Sequence, residues 1–275
     1  PFLNSVSPPL SRIALGVEYD GAAFHGWQRQ GDPVMPTVQS TLENALARIA
    51  AHPVNLVCAG RTDTGVHATG QVVHFDCQVD RGEKAWLRGT NSMLPPSVRV
   101  RWARTVSHDF HARFSALSRR YQYVILDSPV EPAILARQLT HTRLTLDIDR
   151  MHEAGQHLLG EHDFTSFRAA GCQSKTPFRE VMRLQVRRHH RFIILDIEAN
   201  AFLQHMVRNI TGVLMEIGAG GREPGWAREV LELRDRKLAA ITAHPYGLYL
   251  VAVRYPAHFG LPAEPIGPAF LQPFA

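Results

Sequence analysis

Segments typical of strands and of helices interleave along this chain in an order that occurs twice. The first half predicts a strand at 12–20, a helix at 38–51, strands at 54–60 and 70–77, a second helix at 83–92 and a strand at 98–106. In the first helix, apolar residues recur at helical spacing after Thr37, which we expect to be its N-cap. The second helix is polar and ends before Pro95 and Pro96.

The second half repeats this order loosely. It predicts a strand at 119–126, a helix at 148–159, two strands within 178–200 joined by a basic turn, a helix at 205–218 and a last strand at 247–255. The helix at 205–218 has an apolar face and ends at Gly218, as helix C-termini often do. Residues 262–273 are rich in proline, which predicts an irregular tail on the surface.

The strands and helices do not alternate one to one, as they would in a doubly wound sheet. This order favours an α+β fold with a mixed sheet and helices packed mainly on one face. A length of 275 residues suits one large unit or two joined ones. We divide the chain into an N-terminal half (10–112), a C-terminal half (113–256) and a Pro-rich tail (257–275).

The charge balance is basic, with a formal net charge of +5 and a pI near 9.4. Arginine supplies most of the positive charge, in dispersed clusters that suit contact with a polyanion, most commonly nucleic acid. A solvated basic face without a partner fits the composition equally well. No apolar run is long enough for a membrane span, and the start of the chain lacks a signal-peptide pattern. Cys58, Cys77 and Cys172 lack metal-ligand spacing, so we expect reduced thiols in a cytoplasmic protein.

The stretch CAGRTDTGVHATGQVVHF (58–75) places Arg61, Asp63 and Gly65 on a loop between two strand-like runs. Asp-Thr-Gly also occurs in aspartic proteases, but those enzymes need two such carboxylates, and the second half has no other copy. The loop also lacks the glycine spacing and the lysine of a P-loop. The loop is rich in glycine and threonine and lies between strands expected to be buried. We therefore expect its charged side chains to face a cleft or the edge of the sheet. The alternative is a plain turn with Asp63 as its cap and Arg61 as a surface charge.

A metal site is the other alternative for this stretch. His67, His74 and Asp76 lie near one another in the sequence, yet they form no recognisable ligand pattern. His74 stands in an apolar strand and is more simply a histidine at the edge of the core. His205 likewise lacks such a pattern. We therefore expect no metal.

Six ordered segments together resemble the TruA family of tRNA pseudouridine synthases, whose core pattern is G-R-T-D-x-G-V-H. Besides GRTDTGVH they are EYDGAAFHGWQRQ (18–30), DFHARFSALSRRYQY (109–123), GEHDFTSF (160–167), NAFLQHMVRNITG (200–212) and GLYLVAV (247–253). The resemblance implies two ferredoxin-like (RRM-like) halves joined into a mainly antiparallel sheet, with a cleft between them. It also implies a homodimer that converts uridine to pseudouridine at positions 38, 39 and 40 of the tRNA anticodon stem-loop, without a cofactor. The alternative function is a non-catalytic tRNA-binding protein or RNA chaperone.

The resemblance also assigns roles to single residues. Asp63 matches the catalytic aspartate, which acts on a flipped-out uridine, and Arg208 matches its cationic partner. The aspartate adds to C1′, adds to C6 of the base, or removes the C2′ proton, and the sequence does not distinguish these steps. Arg61 matches the residue that manages the flipped nucleotide, whereas Tyr121 and Leu248 match residues on either side of the base. By pattern alone, Tyr121 and Leu248 resemble core residues and Arg208 an ordinary helix arginine.

Two further segments match stretches that contact tRNA in the family. They are Phe110, His111, Ala112, Arg113 and Phe114, and Gly171, Cys172, Gln173, Ser174 and Lys175. Arg113 and Lys175 are the expected phosphate contacts, which position an RNA without reading its bases.

Overall fold

A single mixed sheet forms the centre of the molecule. The computed structural model describes residues 10–31, 35–79, 81–263 and 266–272. Within these ranges, ten strands are β1 (Ser11–Tyr19), β2 (Val57–Cys58), β3 (His67–Cys77), β4 (Val98–Val106), β5 (Ser118–Asp127), β6 (Thr140–Thr142), β7 (Gly160–Asp163), β8 (Phe178–His189), β9 (Phe192–Ala199) and β10 (Leu248–Arg254). Their order is β4-β1-β3-β10-β5-β9-β8-β7, with β2 beside β3 and β6 beside β5.

The last strand joins the two halves of the sheet. β10 lies between β3 of the N-terminal half and β5 of the C-terminal half. It pairs in parallel with β3, where Tyr249 is opposite His67, and antiparallel with β5, where Leu248 is opposite Tyr123. Apart from the β5–β6 pair, the other pairings are antiparallel. The predicted mixed, mainly antiparallel sheet is confirmed, and its central seam places the start of β3 beside the C-terminal half.

Helices cover one face of this sheet. They are α1 (Val38–Ala50), α2 (Gly82–Lys84), α3 (Thr90–Met93), α4 (Ile148–Gln156), α5 (Met206–Gly218) and α6 (Trp226–Leu233), and a π turn (Ala85–Gly89) connects α2 to α3. Successive strand residues point to opposite faces. Accordingly, Tyr121 and Tyr123 pack in the core with α1, α4 and α5, whereas Val124 packs in a separate cluster on the other side.

Loops and the chain end cover much of the opposite face. Phe110 contacts the rings of Tyr255 and Phe259 there, with centroids 5.1 Å apart in both cases. Farther along, Leu271 is 8% exposed, and Phe270 contacts Phe192 and Tyr249. The described end of the predicted tail therefore packs against the sheet through these two side chains. Apolar side chains of β5, β9 and β10 on this face are removed from water by Phe270 and Leu271.

Local signals in the sequence explain some element boundaries and not others. Thr37 caps α1 as predicted: its Oγ1 accepts from Ser40 N, and Ser40 Oγ accepts from Thr37 N. The strand predicted at 54–60 shortens to β2. Ahead of β2, Leu56 N donates to Glu43 Oε1, and after it, Gly60 bonds to the side chain of Gln71 instead of continuing the ladder. The helix predicted at 148–159 ends at Gln156. The sequence patterns did not indicate β6, β7 or α6.

Candidate active site

The loop that carries Asp63 leaves the sheet after β2 and returns at β3. Gln71, fully buried on β3, is hydrogen-bonded to the start of this loop: its Nε2 donates to Gly60 O at 2.6 Å, and its Oε1 accepts from Gly60 N at 3.4 Å. The next turn is held from the N-terminal segment, because Trp27 N donates to Thr62 O at 3.0 Å. The hydroxyls of Tyr19 and Thr62 are 2.7 Å apart and hydrogen-bonded. The backbone on the N-terminal side of Asp63 is therefore fixed from three directions.

A tight turn follows Asp63 and requires glycine at position 65. Val66 N donates to Asp63 O at 3.1 Å, and Gly65 has a φ of +80°, a conformation that other residues adopt at a cost. A Cβ at position 65 would also lie 3.0 Å from both Pro245 and Tyr246, which immediately precede β10. The Asp63 loop thus packs directly against the C-terminal half.

Two cationic or potentially cationic groups face the Asp63 carboxylate. Arg208 Nη1 lies 3.7 Å from Asp63 Oδ2, and His205 Nε2 lies 3.4 Å from the same oxygen. The Asp63 side chain is 32% exposed, so it is reachable from solvent while its charge has partners in α5 and immediately before it. Arg208 is itself held in place, because its Nε donates to Ala243 O at 2.8 Å. The predicted pair of Asp63 and Arg208 is therefore brought together across the two halves.

His205 is a neighbour of Asp63 that our sequence interpretation did not assign to the site. It stands immediately before α5 with a left-handed backbone (φ +62°). Burial lowers its pKa below the usual value, the charges of Arg208 and Arg236 lower it further, and Asp63 opposes them. An ordinary histidine pKa is near ~6.5, so we expect a neutral imidazole beside Asp63 at neutral pH. The one available signal was its position three residues before Arg208 in the predicted helix 205–218, because that spacing places two side chains on one helix face.

Tyr121 and Leu248 lie on the helix-covered side of the sheet, within the core. Tyr121 is 8% exposed, and its ring meets Phe202 edge to face with centroids 5.0 Å apart. Burial raises the pKa of the Tyr121 phenol, and the Asp63 charge raises it further, so this group stays protonated. A Cβ at Gly60 would lie 3.7 Å from the Tyr121 hydroxyl, which places that hydroxyl beside the Asp63 loop. Leu248 is 5% exposed.

Two arginines near the Asp63 loop have opposite environments. Arg61 is exposed, and its side chain makes no hydrogen bond or ion pair with any residue that the structure describes. Arg119 is largely buried and donates to the carbonyl oxygens of Ala59, Arg113 and Asn200 at 2.5–3.3 Å. Burial lowers the pKa of Arg119. Arg119 therefore links three segments around the site, whereas Arg61 is available to a ligand.

The first predicted RNA-contact segment divides into buried and exposed residues. Phe110 and Ala112 are fully buried, so their side chains anchor the segment rather than face solvent. Ala112 N donates to His74 Nδ1 at 3.1 Å, and His111 is partly exposed. Phe114 is 76% exposed, and the exposed Arg113 guanidinium carbon lies 5.5 Å from its ring centroid. Arg113 and Phe114 are thus the residues of this segment most open to a partner.

The second segment is an ordered loop ahead of β8. Arg168 Nη2 donates to Cys172 O at 2.7 Å and to Ser174 O at 2.8 Å, which fixes the loop from inside. Gly171, Gln173 and Lys175 are exposed, whereas Cys172 and Ser174 are partly buried. Ala169 N donates to Gln204 O at 3.0 Å, so this loop also contacts the segment that enters α5.

Two other features are absent from the described ranges. No group of three or more His, Cys, Asp or Glu residues there could hold a metal ion. Among the same residues, no helix has the length and apolar character needed to cross a membrane.

Comparison with known proteins identifies the family. A family described as tRNA pseudouridine synthase matches residues 16–115 and 154–256, well over half of the chain. The chain belongs to the tRNA pseudouridine synthase family. The matched ranges include Asp63, Arg208 and Leu248, whereas Tyr121 lies between them. The resemblance to the family and the prediction of an isomerase are therefore confirmed.

Similarity to individual relatives extends over nearly the full length. The chain is 55% identical to tRNA pseudouridine synthase A of Pseudomonas aeruginosa over 279 aligned residues, which cover 98% of each chain. It is 58% identical to the protein of the same name from Actinobacillus succinogenes, covering 94% of this chain and 98% of that one. The corresponding protein of Vibrio cholerae is 56% identical with the same coverage. This synthase therefore matches whole relatives and not one shared module.

Proposed function

We propose that this protein isomerises uridine to pseudouridine at positions 38, 39 and 40 in the anticodon stem-loop of tRNA, with Asp63 as the nucleophile. The observation that carries the proposal is the partly exposed Asp63 carboxylate with Arg208 and His205 within 4 Å of one oxygen. Arg208 stabilises the charged form of a carboxylate that a bound RNA would remove from water. Its neutral histidine neighbour leaves that charge available for the reaction.

The reaction is a rearrangement within one nucleotide. The N1–C1′ bond breaks, the uracil turns while it stays bound, and a C5–C1′ bond forms as the proton on C5 leaves and N1 gains a proton. No electrons are exchanged with another molecule, so the conversion needs no redox partner or energy donor. Asp63 would act at C1′, at C6 of the uracil or on the C2′ proton, and all three steps start from the carboxylate form.

Access to the target base requires that the nucleotide leave its stack. Extrusion costs a few kcal/mol, and stacking against an aromatic side chain returns ~1–3 kcal/mol. The Tyr121 hydroxyl lies beside the Asp63 loop, and Leu248 lies in the same core. Because Tyr121 is only 8% exposed, we expect Phe202, which packs edge-on against it, to move when the base enters.

Exposed cations around the site suit a polyanionic substrate. Arg61 is free to contact the phosphate of the flipped nucleotide or to occupy the space that its base leaves, since a guanidinium both binds phosphate and stacks. Arg113 and Lys175 are exposed on the two predicted RNA-contact segments and would bind phosphates elsewhere along the stem-loop. Such contacts read RNA shape more than sequence, which suits a substrate with neighbouring target uridines.

The direct test uses three anticodon stem-loop RNAs, each with a single 5-tritiated uridine at position 38, 39 or 40. We expect tritium release from each, since replacement of the C5–H bond accompanies formation of the C5–C1′ bond. A fourth RNA with its labelled uridine outside these positions is the control. Binding without release from any of the three RNAs would support the tRNA-binding alternative and overturn the proposal.

The resemblance also carries a homodimer and a cytoplasmic location into the proposal. A homodimer would let one tRNA span both subunits. Light scattering on the purified protein tests this: twice the chain mass of 30.8 kDa is the expected result, and the mass of a single chain contradicts it.

A further inference from the structure

An open groove begins beside the active site and runs along the C-terminal half. Its volume is about 630 Å³, within the range of roughly 300–1,000 Å³ that is typical of ligand sites. Residues 169–171, 236–237 and 239–242 line it. Asn209 of α5 and His205 also line the groove. His205 Nε2 lies 3.4 Å from Asp63 Oδ2, so the same side chain lines the groove and contacts the catalytic carboxylate.

The groove has a cationic rim. Arg236 and Lys237 line it, and none of the described residues that line it is Asp or Glu. Lys237 is exposed, and its side chain makes no hydrogen bond or ion pair within the described part of the chain. Arg236 is half-buried, and its described partners are the neutral oxygens Ala240 O at 2.9 Å and Thr242 Oγ1 at 2.7 Å. Burial lowers the pKa of Arg236. Its guanidinium is therefore partly removed from water, and its described partners carry no negative charge.

A partly buried hydrogen-bond chain holds Arg236 in a defined position. Thr242 Oγ1 accepts from Arg236 and donates to Asn209 Oδ1 at 2.7 Å. The Asn209 Nδ2 in turn donates to Phe167 O at 2.8 Å, and Asn209 is 1% exposed. Two of the five N–H donors of Arg236 are used in this way, so three remain for a ligand. The guanidinium is therefore oriented before any ligand arrives.

The lining also presents apolar surface. Ile241 is 89% exposed, and Ala239 and Ala240 line the groove beside it. Apolar surface next to fixed cations suits a ligand that carries both flat, weakly polar parts and negative charge. A nucleotide chain has this combination in its bases and phosphates.

We propose that this groove binds the nucleotide next to the target uridine, with Arg236 and Lys237 holding its phosphate. The inference rests on the proposed function and names an RNA subsite for it. A nucleotide strand is favoured over a small anion because the groove is open, includes His205 beside Asp63, and is lined by residues 169–171, which precede Lys175 in the chain. The adjacent phosphate would thereby be fixed while the target base leaves its stack.

The test measures binding of anticodon stem-loop RNA in an Asp63→Asn background, where no turnover occurs. Lys237→Gln is the principal variant because this exposed side chain has no structural partner to lose, and Arg236→Gln is the second. We expect each to weaken binding roughly fivefold to tenfold at ~0.1 M salt and to reduce the salt slope by about one. Lys84→Gln, an equal loss of charge at an exposed position of α2, should bind as the parent does.

Methylphosphonate substitution then identifies the bound phosphate. Neutralising one phosphate next to the target uridine should weaken binding to the parent protein but add little to the loss in Lys237→Gln, because both changes remove one interaction. The proposal would be overturned if, at every phosphate, the loss of affinity from neutralisation added fully to the loss in Lys237→Gln. Unchanged affinity and salt slope in both variants would also overturn it. Tritium release by the protein with an intact Asp63 separates the two claims. If the protein with an intact Asp63 releases no tritium, the proposed function fails. If it releases tritium but both variants bind RNA as the parent does, only the proposed groove is rejected.

Discussion

Arg208 and Ala243 are joined by two reciprocal hydrogen bonds. Arg208 Nε donates to Ala243 O at 2.8 Å, and Ala243 N donates to Arg208 O at 3.1 Å. This pair ties α5 to the segment ahead of β10 and leaves Arg208 Nη1 3.7 Å from Asp63. The guanidinium therefore owes its orientation to a backbone segment that the sequence places 35 residues away.

Close contact between this segment and α5 depends on Gly212. A Cβ at position 212 would lie 2.0 Å from Ile241 O, so Gly212→Ala must displace the segment and with it Ala243. We expect unfolding free energy to fall by about 1–3 kcal/mol and turnover to fall about 10- to 100-fold, because Arg208 loses its position. Urea unfolding and tritium release measure the two effects. Gly225→Ala is the control, since a Cβ there meets nothing within 4 Å and the residue has φ −60°. Equal effects of the two substitutions would contradict the positioning role.

Turnover should depend on the protonation state of His205. Burial, Arg208 and Arg236 hold its pKa below the ordinary value of ~6.5, so the ring is neutral at pH 7 and gains a proton only as the pH falls. An imidazolium 3.4 Å from Asp63 would pair with the carboxylate and reduce its reactivity. We expect turnover to fall on the acid side of pH 6.5, and His205→Gln to retain activity to lower pH. An identical acid limb in pH–rate profiles of both proteins would contradict this role.

His74 should make stability pH-dependent near the first RNA-contact segment. Burial, with the charges of Arg12 and His111, lowers its pKa to about 4, and its Nδ1 accepts a hydrogen bond from Ala112 N. The unfolded chain binds this proton at pH values below ~6.5, whereas the folded protein binds it only near pH 4, so stability falls as the pH decreases between these values. We expect His74 to contribute ~1–2 kcal/mol of this loss, allowing for solvent screening.

Urea unfolding at pH 7 and pH 5 checks the His74 prediction. His74→Gln has no titrating group at this position, and its amide oxygen is an acceptor for Ala112 N. The variant should therefore lose less stability than the parent between the two pH values. An equal loss in both proteins would show that other groups account for the pH dependence.

Patterns of local sequence predicted the scaffold better than the site. Thr37 and the apolar spacing after it predict α1, because a helix N-cap is an interaction between residues close in sequence. The alternation of apolar and polar residues predicts β4 and β5, because this pattern is also local. Asp63 and Arg208 came together through family resemblance, since 145 positions separate them and spacing carries no information at that distance. Tertiary contacts decide the rest. The left-handed backbone of His205, the buried bridge from Arg119 and the chain from Arg236 to Asn209 all depend on which segments pack together.

The central claim is that the Asp63 carboxylate performs the chemistry and the surrounding cations bind the RNA. Asp63→Asn replaces one oxygen by a nearly isosteric amide nitrogen, so it removes the nucleophile and leaves Arg61, Arg113 and Lys175 in place. The most direct measurement is tritium release under single-turnover conditions, combined with the affinity of the same variant for the stem-loop. We predict no release over a period in which the parent enzyme completes its turnover, with affinity nearly unchanged. Substantial release by Asp63→Asn would contradict the account.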